Sequence, residues 1–542
     1  MILDTARSWW AHRAAQAGLS GPFTDLEAAL PDVGRVPMEV TGGATQFAFD
    51  AAAFAVGEAY VDGLDATSRL AHGRHYTPAS LAELLWSEIH RISRNPGGPV
   101  VDPACGCGAL LIPGLRRFVA DAPDPQFALQ SAHGRFAGVD LDPAAVWLGN
   151  LVLAAELLPL WAAVPPRRRR PLPALVRHGD GLAPFEDKPG VVVLNPPYGR
   201  VRLSNEERSR WARSLYGHAN RYAMFLQAAI EAVGPGGVVG AVVPTSFLGG
   251  AYFQRLRTFL AEEAPLRRLV FVDQRSGVYA GNPLQETCLA VFVKGGASGP
   301  VACSRAVVNG DSAHHRIGLA TLAVGADTAK PWLLPRRAAD VALVRGAAAL
   351  VHRLSDYGWR ARTGPLVWNR HRHQISATDA GDATPILWAG DFAEGGVRRH
   401  SSRDAQRFIR LRPGQEFLRL AESAVMVQRT TAPEQHRRLV VATLDEATLA
   451  AWGGAVVVEN HVNVLRCSDP ASRLPPALLA ALLATSTIDR LYRCLTGSVA
   501  VSAYELEALP MPAPEVIERW AQLGAGDLEG AVAALYDHAP PP

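Results

Sequence analysis

Between residues 98 and 294 short apolar runs alternate with longer amphipathic ones. That alternation limits the possible folds more than any other feature of the chain. Val100–Asp102, Phe136–Asp140, Val191–Leu194, Val238–Val243 and Leu269–Asp273 read as buried strands, and Ala144–Leu158, Tyr222–Val233 and Phe253–Glu262 as helices. Strands separated by helices predict a parallel, doubly wound α/β sheet. Glu286–Val293 follows its predecessor too closely for a helical crossover, so it is expected to run antiparallel. Before this region, residues 1–72 form an Ala-rich extension of mostly helical pattern. Residues 73–300 form the α/β domain, interrupted by the Pro-rich basic loop PPRRRRPLP at 165–173, and residues 301–542 form a second domain after the exit loop GGASGP. At 542 residues, more than one core is expected.

The net charge of +3 is too small to name a partner, but its distribution is uneven. Residues 331–440 hold 18 Arg against 10 acidic residues, whereas residues 441–542 hold 5 Arg against 12. A basic stretch beside an acidic one points to a polyanion-binding face, or to an Arg-rich solvated surface. Six cysteines in so long a chain are no disulfide framework and fit a reducing compartment. Cys105 and Cys107 are too close for paired zinc spacing, and no metal is expected. The N-terminus MILDTARSWWAHRAA lacks a signal-peptide apolar core, and Leu151–Val164 is too short to span a bilayer. These features predict a cytoplasmic protein.

VVDPACGCGALL, 100–111, is a strand, a glycine turn and a helix start. In a doubly wound sheet, ligands bind beyond the carboxyl ends of the strands. The turn lacks the spacing of dinucleotide binders, and no P-loop Lys-Ser/Thr follows it. Asp140 ends the next strand, where a carboxylate suits ribose hydroxyls or caps the helix opened by Pro143. Asp180, in HGDGL, can accept from an adenine amino group or serve as a turn residue. VVVLNPPYGR, 191–200, ends a strand in two prolines, which remove two backbone donors and fix two φ angles. Suppose the methyl donor is S-adenosylmethionine. An adenine amino group is a poor nucleophile, because its lone pair is delocalised into the ring. The Asn195 side-chain oxygen and the Pro196 carbonyl can each accept one of its N–H bonds, with Pro197 stiffening the corner. Such positioning lowers a barrier by several kcal/mol. A base inside a duplex must first be flipped out, at a cost of a few kcal/mol. Stacking on Tyr198 returns roughly 1–3 kcal/mol.

DPACGCG, GVDLDP, HGD and NPPY, in this order, resemble the N6-adenine DNA methyltransferases. GRHYTPASLAELL, 73–85, resembles the motif of that family that binds the methionine end of the cofactor. Its place before the glycine turn, with a specificity domain at the C-terminus, is the gamma arrangement of the TaqI-type modification enzymes of type II restriction-modification systems. The resemblance implies a class I S-adenosylmethionine-dependent methyltransferase fold, a Rossmann-like doubly wound sheet with its last strand antiparallel, followed by an α+β target-recognition domain. It implies that Thr77 holds the methionine carboxylate and that Asp102, Ala104 and Gly106 line the methionine moiety. Asp140 takes the ribose, Asp180 the adenine amino group, and Phe225 packs on the cofactor's adenine. Asn195, Pro196, Pro197 and Tyr198 carry the chemistry, and Tyr279 sandwiches the flipped base from the other face or is an exposed loop tyrosine. Cys107 departs from the small polar residue common at its position.

In the C-terminal part, LVWNRHRHQI, MVQRTTAPEQHRRLV, VVVENHVNVL and GSVAVSAYELEALPMP resemble target-recognition segments of such enzymes. Arg370, Arg372, Gln428, Arg429, Asn460 and His461 are candidate DNA contacts, since Arg, Asn and Gln read base edges bidentately. Arg200 and Arg202, just after the catalytic turn, are candidates for the flipped strand's backbone or members of a solvated charged helix. The implied function is site-specific N6-adenine methylation of duplex DNA, with S-adenosylmethionine as cofactor and a separately encoded nuclease as possible partner. Two alternatives stay open at this point: methylation of an RNA base or protein glutamine, and a nonenzymatic DNA-binding protein with a methyltransferase-like fold.

Overall fold

The computed structural model describes residues 2–37, 47–64, 76–93, 98–185, 187–274, 286–297, 299–309, 312–322, 327, 329–379, 381–393, 396–431, 435–495 and 500–537. The chain divides into two compact units, Met1–Pro244 with Arg255–Ala323, and Thr245–Gln254 with Val324–Pro542.

The first unit is built on a nine-stranded sheet. Its members are β1 (Val100–Asp102), β2 (Phe136–Asp140), β3 (Val176–His178), β4 (Val191–Leu194), β7 (Val238–Pro244), β8 (Leu266–Gln274), β9 (Thr287–Val293), β10 (Val301–Asn309) and β11 (Ser312–Leu322). Two short strands, β5 (Arg200–Val201) and β6 (Ala219–Asn220), pair separately. The order across the sheet is β11-β10-β8-β9-β7-β4-β1-β2-β3. Strands β3, β2, β1, β4 and β7 are mutually parallel. Strand β9 inserts antiparallel between β7 and β8, as its short connection requires. All four residues of β4 are buried, which is why this strand reads as an unbroken apolar run. The chain leaves β1 toward β2 and β3, then crosses back to β4 on the other side of β1. The β1/β4 gap is therefore the topological switch point, where a crevice opens at the strand carboxyl ends.

Two boundaries differ from the sequence reading. The sheet does not stop at residue 300: β10 pairs parallel with β8 over seven residues, and β11 pairs antiparallel with β10. Residues 295–300 look like a linker because they are small and Gly-rich, but they lead to another strand of the same sheet. Nor does the N-terminal extension stand apart. Helices α1 (Ile2–Gln16) and α2 (Ala53–Gly63) share one hydrophobic core with α3 (Ala79–Ile92), with α4 (Pro143–Glu156) and with the sheet. Trp9 and Trp10 are fully buried in it, and the Trp147 indole donates to the Val33 carbonyl at 2.8 Å.

The second unit is α+β. Strands Trp359–Thr363, Val462–Cys467, Ala424–Gln428 and Val441–Leu444 form an antiparallel four-stranded sheet. A second, five-stranded sheet includes Thr384–Leu387 and Val456–Val458. Helices Pro476–Leu483, Ser486–Leu495 and Ala525–Asp537 contribute to a core that includes Trp359, Tyr492 and Tyr536. Among the described residues, no helix is long and apolar enough to cross a membrane.

Candidate active site

A cavity of about 390 Å³ lies at the carboxyl ends of β1, β2 and β4. Thr77, Asp102, Ala104, Gly106, Asp140, Asp180, Phe225, Asn195 and Pro197 all line it. The topology brings these residues together across more than a hundred positions of sequence.

The glycine turn sets the floor. Gly106 and Gly108 have φ of 51° and 84°, a region that side chains beyond glycine rarely adopt. This conformation lets the Gly106 N–H donate to Asp140 Oδ2 at 2.8 Å, while the other oxygen of Asp140 accepts from the Asp142 N–H at 2.9 Å. Asp140 is therefore not the helix cap. That role falls to Asp142, whose Oδ1 accepts from the Ala144 N–H at 3.0 Å. Asp180 Oδ1 accepts from the Leu182 N–H at 2.9 Å. The neighbouring Gly181 is packed so closely that a Cβ there would sit 1.7 Å from the Pro103 carbonyl oxygen. Phe225 is buried on helix α5 (Arg221–Ala232), whose first turn is capped by the Asn220 side chain.

Asp102 ends β1 and is 1% exposed, with Oδ1 accepting from the Ala104 N–H at 3.1 Å. Burial pushes its carboxyl up to about 8; the Ala104 N–H opposes this and the nearby Asp140 charge adds to it. Burial likewise pushes the Cys105 thiol well up.

The diproline turn follows β4 directly. The Asn195 carboxamide is held on both sides: Nδ2 donates to Thr77 Oγ1 at 2.9 Å, and Oδ1 accepts from the Tyr198 hydroxyl at 2.9 Å. That hydroxyl also lies 3.1 Å from the Val242 carbonyl, and the Tyr198 ring meets Tyr222 edge-on at 6.2 Å. Tyr198 is half-buried and not part of the cavity wall, whereas Asn195 and Pro197 are. Pro196 is buried. Tyr279 lies outside the described residues. Arg200 and Arg202, just past the turn, are exposed.

In the second unit the predicted DNA contacts fall into two groups. Arg370 and Arg372 are exposed on the 368–374 segment, and the Arg372 guanidinium sits 4.8 Å from the Trp368 ring centroid. Gln428, Arg429, Asn460 and His461 come together near the end of the four-stranded sheet, and several are tied to protein. Gln428 donates to the Ala389 carbonyl at 2.7 Å, Arg429 to the Asn460 carbonyl at 3.1 Å, and His461 Nδ1 lies 2.7 Å from Glu459. Sequence reasoning missed two further exposed arginines, Arg399 and Arg403. Arg403 stacks over Trp388 at 4.6 Å, and Arg399 over Phe408 and Trp452 at 5.3 and 5.1 Å. Their partners include side chains far away in sequence, so no local pattern marks them. It also missed Tyr60, Val61 and Leu141 of the cavity wall, which sit in segments of ordinary helix or turn pattern.

The polar side chains around the cavity are largely acceptors and fit S-adenosylmethionine in kind. The carboxyl groups of Asp102, Asp140 and Asp180 suit a molecule with two positive centres, two ribose hydroxyls and an amino-purine, and Phe225 offers an apolar ring. A family model described as Eco57I restriction-modification methylase matches residues 185–279, the segment containing the Asn195 turn. The type II methyltransferase M.PstI of Providencia stuartii is 24% identical over 361 residues, which cover 64% of this chain and 69% of the relative. M.BsuBI of Bacillus subtilis, also a type II methyltransferase, is 21% identical over 330 residues, covering 60% of this chain and 65% of the relative. The chain thus spans about two thirds of the length of these relatives. Among solved structures, the type IIL restriction-modification enzyme MmeI in complex with DNA shares the fold, with a TM-score of 0.53 at 12% identity over 90% of this chain and 79% of that one. These relatives do not favour an RNA or protein-glutamine methyltransferase. Motif order, sheet topology and these matches liken the chain to the S-adenosylmethionine-dependent DNA methyltransferases of restriction-modification systems, with an Eco57I-type methylase segment around its diproline turn.

Proposed function

We propose that the chain methylates N6 of an adenine extruded from duplex DNA. It does so at a short recognised sequence, in the cytoplasm, and protects that sequence from a separately encoded nuclease. The observation that carries this reading is the Asn195 carboxamide, fixed at the switch point on the wall of the cavity that suits the cofactor. Bound there, S-adenosylmethionine supplies a methyl group already activated by its sulfonium. The chain's own work is to place the amino group. Asn195 Oδ1 has a second lone pair beyond the one taken by Tyr198, and it accepts one N–H of the target. The Pro196 carbonyl accepts the other, which localises the nitrogen lone pair. Tyr198 flanks the base, its ring held by the hydroxyl contacts. Thr77 and Asp102 hold the methionine end, with Ala104 and Gly106 beside them. Asp140 holds the ribose, while Asp180 and Phe225 hold the adenine. Tyr279, outside the described residues, is the candidate for the opposite face of the extruded base. Arg200 and Arg202 hold the backbone of that strand. The second unit reads the sequence through Arg370, Arg372, Gln428, Arg429, Asn460 and His461.

The test is incubation of the chain with genomic duplex DNA and methyl-labelled S-adenosylmethionine, followed by nucleoside digestion. Label is expected in N6-methyladenine at one sequence context. Label confined to cytosine, or absent from DNA, would overturn the assignment.

A further inference from the structure

Residues 1–72 precede every motif named above, yet helix α2 reaches the cavity. Tyr60 and Val61 line it, as do Asp140 and Leu141, and Tyr60 reaches the loop after Asp140 through Asp142. Two independent features fix α2 there. Gly57, three residues before Tyr60, lies so close to the glycine turn that a Cβ would meet the Tyr76 ring at 2.6 Å and Cys107 Cβ at 3.0 Å. One turn later the buried Tyr60 hydroxyl donates to Asp142 Oδ2. Asp142 is not an isolated acceptor. Its Oδ1 caps α4, its N–H donates to Asp140 Oδ1 at 2.9 Å, and Asp140 Oδ2 takes the Gly106 N–H at 2.8 Å. A continuous line of hydrogen bonds therefore runs from the extension, through the β2–α4 loop, to the carboxylate at the ribose position and on to the glycine turn.

We infer that the N-terminal extension is part of the cofactor site: Val61 walls its adenosine half, and Tyr60 is a positioning residue that holds the Asp140–Asp142 loop in its binding geometry. The inference rests on reading the cavity as that of S-adenosylmethionine. Residue 60 tunes affinity through Asp140, while residue 61 bounds the space itself. Losing one hydrogen bond to a buried carboxylate, with the ring kept, weakens binding about three- to tenfold.

The experiment is isothermal titration of the full chain with S-adenosylmethionine and with S-adenosylhomocysteine, in the absence of DNA. Tyr60→Phe is expected to raise both dissociation constants about three- to tenfold. Val61→Trp, which projects a ring into the cavity, is expected to abolish binding of both. Thermal unfolding of the cofactor-free proteins identifies a variant that has lost its fold. If Tyr60→Phe does not fold, Tyr60→Met, which fills the site without a donor, takes its place with the same expectation. Wild-type affinity at residue 60 overturns the positioning role, and wild-type affinity in Val61→Trp overturns the wall. A wild-type chain that binds neither molecule overturns the cofactor reading itself, and this inference with it.

Discussion

Asn195 works only if its carboxamide faces the right way, and two side chains enforce that. Thr77 Oγ1 accepts from Nδ2 and the Tyr198 hydroxyl donates to Oδ1, so the carboxamide is held from both sides in the plane that presents Oδ1 to the cavity. Thr77→Val keeps the shape of the threonine but cannot accept, so the amide loses one of its two locks. Turnover should fall about tenfold, whereas Thr77→Ser, which keeps the oxygen, should stay near wild type. Asn195→Ala removes the acceptor altogether and should cost about 10²–10³ in kcat, with cofactor affinity changed far less. Single-turnover methylation beside equilibrium cofactor binding separates these effects; equal losses in the serine and valine variants would refute the orienting role. Asp102 makes a second residue-level prediction. Its carboxyl is raised from 3.8 to about 8 in the folded chain, so the fold holds an extra proton through that interval. The contribution of this group to stability is complete below about pH 4 and declines as pH rises toward about 8. A cation placed against Asp102 favours the carboxylate, so cofactor binding at pH 7 should release roughly one proton. Titration in buffers of different ionisation enthalpy reads this directly. Asp102→Asn should remove the buffer dependence, and a wild-type enthalpy indifferent to buffer would contradict the raised pKa.

Among the elements, the turn after β3 has the least room. At Gly181 a side chain would run into the Pro103 carbonyl at 1.7 Å, and backbone offers no rotamer to escape by. Gly181→Ala should destabilise the first unit by about 1–3 kcal/mol or more and displace the β1 loop that carries Asp102. Thermal unfolding combined with cofactor titration tests both halves, and an unchanged melting point would mean that the loop moves freely. Alternating apolar and amphipathic runs made β1, β2, β4, β7 and β9 legible in the sequence, because a strand buried on both faces must be apolar throughout. Two prolines after β4 marked the turn as surely as a stop signal. Other features were not legible, for one physical reason. Periodicity reports which face of an element is covered, not what covers it. The parallel pairing of β10 with β8, the approach of α2 to the glycine turn, and the Asn195–Thr77 bond across 118 positions are all choices of partner. No local pattern encodes them.

At the scale of the whole molecule, the cavity and the Arg-rich segment fall in different units. Every described residue of the cofactor cavity belongs to the first, and the Arg-rich segment 331–440 belongs to the second. Within that segment, arginines are held against aromatic rings: Arg372 on Trp368, Arg403 on Trp388, and the two tryptophans edge-on to each other at 6.2 Å. A guanidinium whose face is occupied by a ring still offers its N–H edge, the group that pairs with phosphate or with guanine. Some neighbours are engaged inward instead. Arg407, 3% exposed, pairs with buried Asp391 at 2.9 Å and serves the fold. Charge counts along the sequence cannot tell these two kinds of arginine apart, but their measured behaviour should. Arg372→Ala and Arg403→Ala should leave S-adenosylmethionine affinity unchanged and weaken DNA binding. If each contacts one phosphate, the slope of log affinity against log salt should become shallower by about 0.9 per substitution. If either reads a base, the slope should hold while preference for the methylated sequence relaxes by about 1–3 kcal/mol. Arg407→Ala should instead lower the melting temperature, because it strands a buried carboxylate. DNA affinity, salt slope and sequence preference all unchanged in both exposed variants would refute the assignment of this surface to DNA.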